Sequence, residues 1–227
     1  MRRTSMKLAV AVIAAGLGLA VSACGTVKLG AAAITGSNRI TSATLTDEVG
    51  NLNAAYKTDT AKGIKPQRPV GQETQQVLSW LVLFPVYDKL AEQHGIKVTQ
   101  ADIERAHNTY ANQASASHLT LAEYLSAGAA LPPNLVEEFS RAAAIASALQ
   151  TQIDGGTTPS TAAGQAAVSA KFSRYQCIAA KDLGVKVNPQ FGQFDYSGFV
   201  VVPAPPTLAA APSPKASPSP VQTTPPC

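Results

Sequence analysis

The sequence predicts a mainly α domain with a small β element, on three observations. Residues 77–87 are apolar almost all the way round, which suits a helix walled in by other elements. Two stripes at helical spacing flank that run, Leu45, Val49, Leu52 and Tyr56 before it and Leu135, Phe139, Ala142, Ala146, Leu149 and Ile153 after it. Short strand-like stretches stand at either end of the folded region, at 31–41 and 185–187.

Taken in order, 31–41 reads as two short strands around the turn cluster Gly36, Ser37 and Asn38. Thr41 can cap the helix that carries the Leu45 stripe. Residues 58–71 are polar, with Pro66 and Pro69, and read as a loop. The central helix starts near Glu73. Pro85 lies inside it and removes a backbone hydrogen bond, so a kink or break is expected near Leu81. Charge appears at Asp88, Lys89 and Glu92, and Gly95 ends the helix where a left-handed residue is wanted. Thr99 caps the next helix, with Asp102 and Glu104 in its first turn and Ile103, His107 and Tyr110 along one face. Thr120 and Glu123 form a capping box for a short helix, with Leu119 placed to staple onto Tyr124 and Gly128 as its expected end.

Pro132 and Pro133 open the long amphipathic helix, which Gly155, Gly156 and Pro159 end. A last helix carries Val168, Phe172, Tyr175 and Ala179 and closes at Gly184. Val185 and Val187 then alternate with lysine as a strand would, and 199–202 suits another. From 203 to 227 the chain is Pro, Ala, Ser and Thr with Lys215 as its charge, a composition expected to be disordered and to reach about 75 Å if extended.

The N-terminus carries the strongest signal. Arg2, Arg3 and Lys7 precede an apolar run from 8 to 21, about 20 Å long as a helix and too short to span a bilayer comfortably. The run ends in Val21-Ser22-Ala23-Cys24, where small residues suit a signal peptidase. Cleavage there removes three cations from a formal charge of +4 and leaves +1, so the basic balance is no argument for nucleic acid. The expected organisation is a signal peptide at 1–23, a tether at 24–30, a helical domain at 31–202 and the tail at 203–227. Cys177 and Cys227 lie in a compartment that permits disulfides. They can pair, and nothing in the spacing requires it.

Chemistry-bearing motifs are sparse. His94, His107 and His118 have no partner at the spacing of a helical zinc site. Glu104 and His107 stand at i, i+3, but the second pair that a di-metal site requires is missing, so a solvated helix face accounts for them. CxxC, GxSxG and phosphate-cradling glycine motifs are absent. No catalytic residue, metal or cofactor is expected. Trp80, Phe84 and Tyr87 invite a polypeptide-binding reading, yet on a central helix they read better as core.

Two resemblances add to this reading. A cysteine directly after the small residues resembles the lipobox of bacterial lipoproteins, which implies that Cys24 becomes the mature N-terminus and carries lipid on its sulfur. Two acyl chains meet the requirement for stable anchoring. The order of the 31–41 hairpin, the Leu45 helix, the run Leu90-Ala91-Glu92-Gln93-His94-Gly95-Ile96-Lys97-Val98-Thr99 and the Leu135 helix resembles the N-terminal chaperone domain of SurA and PrsA-like foldases. The segment 187–195 looks like the returning strand of actinobacterial lipoproteins of that group. In the family a parvulin domain is often inserted before the closing helix. Here only 154–164 stands at that place, too short for a prolyl isomerase domain of about 90 residues. The resemblance implies a helical cradle with paired terminal segments, held at the outer face of the cell membrane, that binds unfolded or secreted polypeptides without ATP. The alternatives are a non-catalytic structural or adaptor lipoprotein and an enzyme or its subunit. A deep polar pocket of converging titratable groups would favour the enzyme, and a broad apolar groove the chaperone reading.

Overall fold

The first strand, β1 (Ala31–Thr35), turns back into β2 (Asn38–Thr41), and six helices follow: α1 (Ser42–Ala61), α2 (Glu73–His94), α3 (Gln100–Ala116), α4 (Leu121–Ala129), α5 (Val136–Asp154) and α6 (Ala162–Asp182). Among the described residues three short strands come after them, β3 (Lys186–Val187), β4 (Gln193–Asp195) and β5 (Val200–Val202). This computed structural model describes residues 30–205 and Cys227. The signal peptide, the tether up to residue 29 with Cys24, and tail residues 206–226 lie outside the described residues. The mainly α architecture with a small β element is the expected one.

Local chemistry sets most helix ends. The Thr41 hydroxyl accepts from the Thr44 N–H, and Thr99 with Asp102 and Thr120 with Glu123 form reciprocal capping boxes. Gly95, at φ 64°, ends α2. Its N–H donates to the Glu92 carbonyl at 3.3 Å and that of Ile96 to Ala91 at 2.8 Å, the two bonds that close a left-handed helix end.

Helix α2 forms the centre. Val77, Leu78, Val82, Val86 and Leu90 are 0% exposed, each worth about 1.5–3 kcal/mol of transfer free energy. Helices α1, α5 and α6 and strands β1 and β5 all pack against it. Pro85 does not break it: the helix runs unbroken from Glu73 to His94. A proline costs an isolated helix about 3 kcal/mol, and packing on all sides of α2 offsets that cost. Two other ends also differ from expectation. Helix α1 continues to Ala61, so the polar loop begins at Lys62 rather than at Thr58. Helix α4 passes through Gly128 to Ala129, and its C-cap Ala130 takes the left-handed conformation at φ 52°. The carbonyls near that end are claimed by other segments, as described below.

The first described strand and the segment after α6 are clamped together. In the antiparallel sheet β2-β1-β3, Ala33 pairs with Val187 and Ile34 with Lys186. The Gly36 N–H donates to the Leu183 carbonyl at 2.6 Å, and the Asn188 N–H to that of Ala32 at 2.8 Å. Asn188 Nδ2 adds a bond to the Ala31 carbonyl at 3.0 Å. The segment 187–195 is therefore not one returning strand. It is divided into β3 and β4 because Pro189 lacks an N–H and Gly192 takes φ 136°, where a Cβ would stand 2.3 Å from the Val202 carbonyl oxygen. Strand β4 pairs with β5, whose Val201 N–H donates to Ser79 Oγ on α2 at 2.7 Å.

Replacing Asn188 by Ala removes the side-chain donor to the buried Ala31 carbonyl and is expected to cost about 1–2 kcal/mol. Urea unfolding monitored by circular dichroism measures it; an unchanged midpoint would show that the clamp contributes nothing.

Candidate functional site

The three aromatics singled out on α2 are half-buried and do not converge on one surface. Trp80 and Phe84 pack with Leu121, Leu125, Leu131, Leu135 and Phe139 in a second apolar cluster. The Trp80 ring stacks on Phe84 at 6.0 Å between centroids and meets Phe139 edge-on at 5.7 Å. Its Nε1 donates to the Ala129 carbonyl at 2.8 Å, so the indole holds the end of α4. Tyr87 packs against the main core instead, where its hydroxyl accepts from Gln176 Nε2 at 3.2 Å and burial pushes the phenol pKa up. These are packing contacts with polar tips satisfied by the protein itself.

Glu104 and His107 do not form part of any metal-holding group among the described residues. His107 Nδ1 lies 3.4 Å from Ser140 Oγ. Cys177 and Cys227 are joined in a disulfide with their Cα atoms 5.8 Å apart. The bond places Cys227 beside α6, while tail residues 206–226, which carry the expectation of extended reach, lie outside the described residues. Beside the disulfide, Ser173 and Arg174 of α6 with Tyr196 and Phe199 line a cavity of about 430 Å³.

A groove of about 410 Å³, open to solvent, runs between α1, α4 and the 3₁₀ turn Pro133–Leu135. Its position follows from the α1 stripe. Leu45 and Leu52 are buried, Tyr56 is half-buried, and Asp59, one turn further along the same face, is 4% exposed. Small side chains, Ala54, Ala55 and Ala122 with Pro133, leave the space open. At one end Asp59 Oδ2 accepts from Ser126 Oγ at 2.7 Å, a buried bond between α1 and α4. At the other, Asn134 Nδ2 donates to both Glu48 carboxylate oxygens at 2.9 and 2.8 Å, and Asn51 Nδ2 bonds both Glu48 and Asn134 Oδ1 at 3.2 Å.

Glu123 stands on the groove wall with its carboxyl held down to about 2. The Lys62 ammonium at 2.6 Å is the largest cause, followed by the Thr120 N–H and hydroxyl. At the equivalent position of α3, the Thr99 hydroxyl and N–H, with Arg105, hold Asp102 at about 2 as well. Sequence reasoning missed the groove and Asp59. The available signal was the spacing of Asp59, i+3 from Tyr56 and i+7 from Leu52.

The described residues form a mainly helical domain whose first and third strands pair, with an open groove between α1 and α4. No family model, curated protein or solved structure matches the chain.

A carboxyl depressed in the folded state contributes stability above its ordinary pKa, 4.5 for Glu123, which is lost as pH falls toward about 2. The Glu123 carboxyl carbon is therefore expected to titrate near pH 2 by NMR. The melting temperature of the native protein should fall across that window more steeply than that of Glu123→Gln.

Proposed function

We propose that this chain is a membrane-anchored, extracytoplasmic lipoprotein of SurA N-terminal-like architecture that binds unfolded or secreted polypeptide without ATP. The observation that carries the reading is the open groove between α1 and α4, floored by alanine and proline and edged by polar groups. Ligand sites of this make-up use apolar surface for affinity and a few polar groups for orientation. Its lining carboxylates, Asp59 and Glu123, are each hydrogen-bonded within the protein. That arrangement suits a surface for holding chain segments better than a reaction centre. The paired terminal strands β1 and β3 agree with the same architecture. The anchor rests on the charged start, the apolar run and Cys24.

The full chain, purified in detergent, should suppress aggregation of a chemically unfolded client at near-stoichiometric ratio in the absence of nucleotide. A photo-crosslinking residue at Ala54 should capture that client. Undiminished aggregation together with no crosslink at Ala54 sinks the proposal. In cells fed a labelled fatty acid, the label should enter the native chain and be missing from Cys24→Ser; equal labelling would remove the anchor at Cys24.

A further inference from the structure

The same groove carries a charge preference, an inference that rests on the polypeptide-binding reading above. Its lining residues use up their side-chain hydrogens inside the protein. Ser126 donates to Asp59, Thr58 to the Ala54 carbonyl at 3.0 Å, Asn51 to Glu48 and to Asn134 Oδ1, and Asn134 to Glu48. An alcohol has one hydrogen to give and a primary amide two, so little donor capacity remains in these side chains for a ligand. Acceptor capacity does remain, because each ionised carboxylate offers about four lone-pair sites. Asp59 and Glu123 line the groove, and Glu48 buttresses it through Asn51 and Asn134. No Lys, Arg or His is among the described residues lining it. Lys62 is committed to Glu123 on the groove wall at 2.6 Å.

We infer that the groove between α1 and α4 selects extended polypeptide segments that present a lysine or arginine flanked by small apolar residues. The cation supplies the donors that the wall lacks, and the small flanking residues fit the alanine and proline floor. Complementary charge across such a surface acts on selectivity and on encounter rate.

The test uses fluorescence anisotropy of the full chain in detergent with labelled peptides of Ala, Pro and Val carrying one central Lys, Arg, Gln or Glu. Lys and Arg peptides should bind about tenfold more tightly than the Gln peptide, and the Glu peptide most weakly, with the differences shrinking as salt rises. Ala54→Lys places a cation on an exposed, helix-compatible position of the floor and should abolish the preference while the thermal melt stays unchanged. Asp59→Asn should act in the same direction, and where it weakens the fold, Ala54→Lys decides. Equal affinity for Gln and Lys peptides overturns the charge preference and leaves the polypeptide-binding reading standing, as does a preference that survives Ala54→Lys. Absence of binding by every peptide overturns both.

Discussion

Burial of α2 governs the rest of the molecule. A helix whose Val77, Leu78, Val82, Val86 and Leu90 all lie out of water must be covered from several directions, and α1, α5, α6, β1 and β5 provide that cover. The polar residue on its buried surface, Ser79, is satisfied by donating to the Gln75 carbonyl at 2.6 Å. The same hydroxyl accepts from Val201, which ties β5 to the helix. An unpaired hydroxyl there would cost about 1–3 kcal/mol, so the last strand completes the environment of the central helix as well as adding apolar surface. Because β1 covers α2 and also pairs with β3, residues more than 150 apart in sequence meet at the core's edge.

How much of this was readable in advance depended on how local each cause was. The Thr41, Thr99 and Thr120 caps and the Gly95 stop use groups within a few residues, so the amino-acid order alone carries them. The exceptions have distant causes. Pro85 stays inside a continuous helix because packing by neighbours on other elements offsets the bond it removes. Gly128 fails to end α4 because Trp80, Arg68 and the backbone of Gln67 reach its last carbonyls from elsewhere. The β3–β4 division depends on a close approach between Gly192 and Val202 that no pattern in 187–195 reveals.

The candidate site follows the same rule. Aromatic side chains drew attention to Trp80, Phe84 and Tyr87, and the protein uses them for packing. The groove is made by what is small: three alanines and a proline, residue types that give no functional signal in a chain rich in both. A carboxylate on an apolar stripe was the one legible hint. Asp59 is buried because Ser126, across α4, provides its partner, a contact between residues 67 positions apart.

Helix α4, one wall of the groove, is short, and its far end is moored by three side-on bonds. Gln67 N–H reaches the Ala127 carbonyl at 2.8 Å, Arg68 Nε reaches Gly128 at 3.1 Å, and Trp80 Nε1 reaches Ala129. Two of these moorings come from the loop that joins α1 to α2, which makes that loop the gauge of the groove's aperture. Lengthening or trimming it would widen or narrow the opening while every lining residue stayed the same. Loops tolerate such changes far better than packed helices do, so the width of this site can diverge between otherwise similar chains without any alteration of its chemistry.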